Sequence, residues 1–154
     1  ERKGGIMPLD IATFKPILLG VILAIFAYTD WKYRRVHNIL ILLGMCAGFY
    51  FSYETGVLAK TITSTLITFA FFFAFWIFGG IAEGDVKVLT MIGCFSGFWQ
   101  TAEYLIVASV LSLIWVLLYK ARYKRLREGI PLVSFLFVSF VFIQVFQAYG
   151  MSVL

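Results

Sequence analysis

The chain alternates between long apolar stretches and short polar links. Six stretches are long enough, or nearly long enough, to cross the hydrocarbon core of a bilayer as a helix, which takes about 20 residues. They cover approximately residues 14–29, 38–57, 61–81, 86–99, 102–119 and 130–149, and the fourth is the shortest. The pattern predicts an all-α polytopic membrane protein with six transmembrane helices in a single domain over residues 14–154.

Residues 1–13 form a separate N-terminal segment in this prediction. Met7 is the expected natural start, and the residues before it are expected to be a cloning remnant. The first apolar stretch has no small-residue cleavage site followed by a mature domain. It is therefore predicted to be a membrane span rather than a signal peptide that is removed.

Composition supports a lipid environment. Of the 154 residues, 62% are hydrophobic and 14% are charged, and the mean hydropathy is +0.94. Soluble domains carry about 25% charged residues, so this chain has too little charge for a surface that faces water. The net charge of +5 comes from Lys and Arg in short links, where such residues orient spans. Membrane lipid is an expected partner and nucleic acid is not.

The positions of Lys and Arg predict the orientation in the membrane. Basic residues concentrate in the links after the first, third and fifth stretches, at Lys32, Arg34, Arg35, Lys87, Lys120, Arg122, Lys124, Arg125 and Arg127. The links after the second and fourth stretches contain only Lys60, whereas Arg2, Lys3 and Lys15 argue weakly for the opposite orientation. Because cytoplasmic loops are enriched in Lys and Arg, both termini are predicted on the extracytoplasmic side of the cytoplasmic membrane.

Small residues indicate where helices approach each other. Gly44 and Gly48 are four positions apart in the second stretch, as are Gly93 and Gly97 in the fourth, and this spacing is typical of close helix contacts in lipid. Cys46 and Cys94 lie within apolar stretches with no partner at metal-ligand spacing. The sequence therefore predicts no metal and no cofactor.

Acidic side chains are costly near a membrane core, and each is by default a candidate functional residue. Five acidic residues are adequately explained as solvated charges: Glu1, Asp10, Glu54, Glu103 and Glu128. Asp30, in contrast, ends the first stretch and Asp85 opens the fourth. The first stretch is predicted to run inward and the fourth outward, so both aspartates are expected at the same cytoplasmic depth.

Two carboxylates that lie close together cannot both ionise cheaply, so one of them keeps a proton. The ionised carboxylate can take a proton from water, while the protonated one donates a hydrogen bond to a scissile carbonyl. Amide hydrolysis needs this combination and no cofactor. The residues alone leave open a structural role for each aspartate, since the helix dipole favours an acid at a helix start such as Asp85.

The sequence around both aspartates resembles two motifs of the type IV prepilin peptidase family, which includes the archaeal preflagellin peptidases. Ala82-Glu83-Gly84-Asp85 is similar to its GxGD signature, with Ala82 in place of the first glycine. Residues 30–38 are similar to its other aspartate motif, where a basic turn follows the first span; His37 stands where bacterial members often have proline. Residues 129–132, at the start of the last stretch and followed by an apolar helix, are similar to the family's last span.

The resemblance implies a membrane aspartic endopeptidase with Asp30 and Asp85 as catalytic residues. It would remove the short basic leader of prepilin-like or preflagellin-like precursors on the cytoplasmic side. Three further residues are candidates for substrate binding or support: Gly84 by letting the backbone approach closely, Lys87 by tuning a carboxyl pKa or contacting substrate, and Glu83 by binding the leader. The chain has no cysteine-rich domain between its first two spans, so a form without methyltransferase activity is implied.

Three alternatives remain at this point. A proton- or cation-coupled transporter could use Asp30 and Asp85 as a relay, although relays more often place acids at mid-membrane. A scaffold subunit could pair the aspartates with loop arginines. A presenilin-type or signal-peptide-peptidase-type protease would share the chemistry but has more spans.

Overall fold

The structure is a computed structural model that describes residues 11–33, 36–123 and 132–149. These residues form six α-helices: α1 (Ile11–Tyr33), α2 (Asn38–Glu54), α3 (Leu58–Ile77), α4 (Glu83–Ser96), α5 (Phe98–Tyr123) and α6 (Leu132–Ala148). The all-α prediction is confirmed for these residues, and each predicted apolar stretch overlaps one helix. Residues 1–10, 34–35, 124–131 and 150–154 lie outside the described residues, together with the predictions made for them.

Three helices are long and apolar enough to cross a membrane: Phe14–Tyr33, Leu58–Ile77 and Phe98–Arg122. By length and composition the chain is therefore a membrane protein. Helix α2 has 17 residues and α4 has 14, which corresponds to about 26 and 21 Å, and the described part of α6 also has 17 residues. Six spans, with both termini on the extracytoplasmic side, stay a prediction.

Helix α4 lies at the centre of the bundle. It contacts all five other helices, which surround it in the order α1, α2, α3, α5 and α6, with α6 closing against α1. Val86 and every residue from Val88 to Phe95 are buried. Yet α4 is the least apolar of the six described helices. In lipid the outer surface of a protein is itself apolar, so hydrophobicity alone does not identify the buried helix.

Small and hydroxyl-bearing residues mark the contacts between α4 and its neighbours. A Cβ atom on Gly44 of α2 would collide with the side chain of Met91, and one on Gly48 would lie 2.8 Å from Cys94 Sγ. A Cβ atom on Gly93 of α4 would lie 2.6 Å from Thr68 Oγ1 of α3. Gly44, Gly48 and Gly93 therefore allow the close approach that their spacing predicts.

Gly97 has a different role from the other three glycines of that pattern. Its φ is 87°, a left-handed conformation that L side chains rarely adopt, and it separates α4 from α5. The first backbone amide of α5, Phe98 N–H, donates to Ser64 Oγ on α3 at 2.8 Å. Gly97 thus ends the central helix, whereas the other three glycines allow neighbouring helices to approach closely.

Gly93→Ala is expected to lower the free energy of unfolding by about 1–3 kcal/mol, because the added methyl overlaps the side chain of Thr68, including Thr68 Cβ at 2.9 Å. The second change Thr68→Ala should restore part of the loss, since it removes Oγ1 and Cγ2 from the overlap. Thermal unfolding in detergent, followed by tryptophan fluorescence, measures both effects. Ala70→Val on the exposed face of α3 is the control and should leave the unfolding temperature nearly unchanged. Equal effects of Gly93→Ala and Ala70→Val would contradict the prediction.

Candidate functional site

Asp85 lies in the first turn of α4, directly after a tight turn that ends α3. Gly79 has a φ of 74°, its N–H donates to the Trp76 carbonyl at 2.9 Å, and Gly80 N–H donates to the Phe75 carbonyl at 2.9 Å. The chain then becomes extended at Ala82, whose carbonyl accepts the N–H of Asp85 at 3.1 Å. The glycine pair therefore reverses the chain, and α4 starts with Asp85 at its positive end.

Asp30 lies in the last turn of α1, three residues before its end at Tyr33. The residue is half-buried, and its Oδ2 atom is fully buried. The helix dipole disfavours a negative charge at this end. Lys32, a candidate for compensation, donates to Tyr28 Oη at 3.2 Å and lies over the rings of Tyr28 and Tyr33. The other two candidates for compensation, Arg34 and Arg35, lie outside the described residues.

The structure brings the two aspartates to the same end of the bundle, close enough to interact electrostatically. Asp85 lies outside the membrane-spanning segments, because it precedes Val86, where the predicted fourth span begins. Helix α4 is also not among the three candidate spans. Burial raises the pKa of Asp85 to about 6, and the charge of Asp30 is the second cause. The Ala82 backbone N–H group acts in the opposite direction and lowers the pKa of Asp85. Two carboxyls that share one environment in this way can hold a proton between them near neutral pH.

Gly84 adjoins Asp85 within α4 and packs against the α1–α2 link. A Cβ atom here would lie 3.5 Å from Val36 Cγ2, which is an ordinary contact, and Gly84 is not in the left-handed region. The backbone at this position therefore does not itself demand glycine. Close approach of a substrate to Gly84 stays a prediction.

Glu83 and Lys87 pair with each other, one turn apart on α4. Lys87 Nζ lies 2.6 Å from Glu83 Oε1 and also donates to Asn38 Oδ1 on α2 at 3.5 Å. Lys87 lowers the pKa of the exposed Glu83 by hydrogen bonding and by its charge. Lys87 thus links the start of α4 to the start of α2. The partner Asn38 was not singled out from the sequence, although it falls within residues 30–38 of the aspartate motif.

A cavity of about 420 Å³ lies beside Asp85. Its wall is formed by the end of α3, the following turn, α5 and the start of α6, through Phe75, Gly80, Ile81, Ala82, Leu105, Ser109, Ser112 and Leu132. Ser109 Oγ donates to the Leu105 carbonyl at 2.7 Å, and Ser112 Oγ donates to the Ser109 carbonyl at 2.9 Å. Since both hydroxyl hydrogens are committed within α5, these oxygens can only accept further hydrogen bonds. The cavity therefore offers apolar surface and acceptors.

Sequence reasoning did not single out Ser109 and Ser112. Hydroxyl residues are common in membrane helices, where they bond to their own backbone, and nothing in the local sequence distinguishes these two. Within the described ranges, no group of three or more His, Cys, Asp or Glu side chains could hold a metal ion. Chemistry without a metal or cofactor stays an expectation.

A comparison with known protein families gives a match. The model of a family described as the type IV leader peptidase family matches residues 17–117, which is more than half of the chain. Asp30 and Asp85 both lie within the matched region. No curated protein and no solved structure matches.

Asp85→Asn is expected to stabilise the fold at pH 7–8, by on the order of 2–3 kcal/mol. Because the folded chain raises the pKa of Asp85 from 3.8 to about 6, folding favours the protonated carboxyl. The native state therefore loses stability as the pH rises through this range, and an uncharged side chain avoids the loss. The measurement is thermal unfolding of both chains in detergent from pH 4 to 8, and the gap between them should open with rising pH.

Glu83→Gln is the control for this experiment, because the pKa of Glu83 is lowered rather than raised. The contribution of Glu83 to the stability of the fold therefore has the opposite sign. It is present above the pKa that this carboxyl has in the unfolded chain, and it disappears as the pH falls. Removing Glu83 should therefore destabilise the chain slightly at neutral pH and have no effect in acid. A gap between wild type and Asp85→Asn that does not change with pH would refute the argument from burial.

Proposed function

The chain belongs to the type IV leader peptidase family, and we propose that Asp30 and Asp85 are the catalytic pair with which it cleaves its substrate. Membership of the family makes the protein a protease. Its assignment to the aspartic class rests on one observation: Asp85 is partly buried beside Asp30 of a different helix, and burial, followed by the charge of Asp30, raises the pKa of Asp85. The pair is the arrangement that general acid–base hydrolysis of an amide requires.

In the proposed reaction the pair begins with one proton between its two carboxyls. The ionised carboxylate takes a proton from a water molecule as the water oxygen bonds to the scissile carbonyl carbon. The protonated carboxyl donates its proton to the carbonyl oxygen, which gives a tetrahedral intermediate. When the carbon–nitrogen bond breaks, the leaving amine receives a proton from the carboxyl that accepted one from water. A hydroxyl of the intermediate returns its proton to the other aspartate as the carbonyl re-forms, which restores the pair to its starting state. The apparent pKa values belong to the pair, so neither aspartate is assigned a fixed role.

The proposed substrate is a prepilin-like or preflagellin-like precursor with a short basic leader before a hydrophobic helix. Both aspartates lie at helix ends, where a leader outside the bilayer can reach them while the hydrophobic helix stays in lipid. The cavity beside Asp85 supports this orientation, since its apolar wall suits a side chain of the precursor and its hydroxyl oxygens suit backbone N–H groups. Glu83, exposed next to the pair, is the candidate contact for a basic leader side chain.

Cleavage is proposed on the cytoplasmic side of the cytoplasmic membrane, with six spans and both termini on the opposite side. The distribution of Lys and Arg along the chain supports this topology. Lys87 contributes indirectly in this proposal: its contacts with Glu83 and Asn38 hold the start of α4 against α2, next to the proposed catalytic pair.

A transporter relay is less compatible with the bundle. Both aspartates lie at one end, and from there α4 continues through Val88, Leu89, Met91 and Ile92, each 0% exposed. A relay needs a titratable group that can receive the proton from the pair. In the part of α4 that follows Lys87, the Cys94 thiol is the one such group. Hydrolysis at the end of the bundle requires no such path.

Asp30→Asn and Asp85→Asn are each expected to reduce cleavage of a prepilin-type precursor by at least about a hundredfold. An amide cannot exchange the proton on which both steps depend. Leader removal is followed on a gel after co-expression with the precursor, and membrane fractionation verifies that each variant inserts. Glu54→Gln, which changes an exposed acid at the end of α2, is the matched control and should cleave normally. Cleavage that survives either aspartate change would refute the catalytic pair.

The rate of cleavage is expected to fall as the pH rises above about 6. The active form of the pair holds one proton, and the raised pKa of Asp85 means that this proton is lost through that range. The value of kcat/KM should then decrease about tenfold for each pH unit at higher pH. The substrate is an N-acetylated leader peptide, because its α-amino group would otherwise titrate in the same range. A flat profile between pH 5 and 8 would contradict the shared proton.

A further inference from the structure

The centre of the bundle is open at the end opposite Asp85. Helix α4 ends at Ser96, about 16 Å along its axis from Asp85. Beyond it lie two cavities of about 800 Å³ and about 230 Å³, which share Ser96 and Gln100 in their walls. We refer to the two together as the distal cavities. They are separate from the cavity beside Asp85 and have no part in the proposed hydrolysis.

Hydrogen-bond donors line the smaller distal cavity. Lys15, Ser96, Gln100 and Gln144 supply its polar wall, on a floor that includes Leu19 and Phe140. Gln144 Nε2 also donates to the buried Tyr104 Oη at 3.3 Å, which holds that amide at the cavity wall. A group rich in acceptor oxygens would satisfy such a wall.

Lys15 gives this wall its charge. It lies half-buried on the α1 candidate span, and no carboxylate in the described part of the chain pairs with it. A cation held partly out of water is costly unless an anion accompanies it, and an ionisable group in a span is by default a functional candidate. The cavity beside Lys15 is large enough for a tetrahedral anion.

The larger distal cavity extends the site toward the lipid. It adds Lys60 and Glu103 to the polar wall, so the distal cavities together have two lysines and one carboxylate. Its rim includes the exposed side chains of Ile67 and Trp99, and Trp99 is 80% exposed. Exposed apolar surface of this kind lies against acyl chains, and tryptophan is typical of the membrane interface.

We propose that the distal cavities bind the phosphate group of an anionic membrane lipid, with Lys15 as its principal cation. The phosphate oxygens accept hydrogen bonds from Lys15, Gln100 and Gln144 in the smaller cavity. The rest of the headgroup occupies the larger cavity near Lys60, and the acyl chains leave past Ile67 and Trp99. Phosphate is the shared chemistry of two sources, lipid and free ion, and the exposed apolar rim favours the lipid.

Native mass spectrometry of the purified full chain tests the proposal, with phosphatidylglycerol, phosphatidylcholine and inorganic phosphate as the probes. Wild type should retain phosphatidylglycerol in preference to the zwitterionic phosphatidylcholine. Lys15→Met should weaken retention of phosphatidylglycerol on the order of tenfold, and Lys15→Arg should preserve it. Lys120→Met, which removes an exposed lysine from the last turn of α5, is the matched control and should bind as wild type does.

Several outcomes would overturn the proposal. Equal retention of phosphatidylglycerol by wild type and Lys15→Met would show that Lys15 does not bind the lipid phosphate and is only an interfacial anchor. Displacement of the lipid by inorganic phosphate at the same concentration would assign the cavities to the free ion. The thermal unfolding of each lipid-free variant is measured in parallel. If Lys15→Met fails to fold, Gln144→Leu replaces it, and unchanged lipid retention by that variant would be equally decisive against the site.

Discussion

The close contact of α4 with its five neighbours is the constraint on which the rest of the structure depends. Gly44, Gly48 and Gly93 let the backbones approach at positions where any side chain would overlap a neighbour. Thr65 and Thr68 of α3 face the same interface, with their hydroxyl hydrogens bonded to carbonyls of their own helix. In lipid, such packing replaces the hydrophobic effect as the source of helix association. It also sets the position of α4, and therefore of Asp85, relative to the surrounding ring.

The two aspartates occupy electrostatically opposite helix ends. Asp85 at the start of α4 is favoured by the helix dipole, whereas Asp30 at the end of α1 is disfavoured by it. Burial opposes the dipole at Asp85 and has the larger effect, since the pKa of this carboxyl is raised. An antiparallel pair of helices can bring an acid from a favourable end beside an acid from an unfavourable one. This difference between the two helix ends favours a state in which the two carboxyls hold one proton between them.

Much of this arrangement could be predicted from the sequence, because the lengths of apolar stretches and the positions of charges are local properties. The prediction ended the third helix near Ile81, whereas α3 ends at Ile77, since Gly79 and Gly80 form the turn. The motifs identified Asp30 and Asp85, and orientation placed them at one end. Ser109, Ser112 and the contact of Lys87 with Asn38 could not be predicted. Such contacts depend on the rotation of each helix about its axis, and a helix that is apolar on both faces gives no periodic signal for it.

The short length of α2 has a consequence for the membrane itself. Helix α2, which packs against α1, has 17 residues between its caps at His37 and Thr55, about 4 Å shorter than a typical 30 Å hydrocarbon core. A bilayer that meets short helices thins locally to match them. In the proposed six-span topology, the membrane next to α2 would therefore be thinner beside the last turn of α1, which carries Asp30. Hydrophobic mismatch would then bring the water boundary toward that carboxylate and favour membranes of lower thickness for this protein.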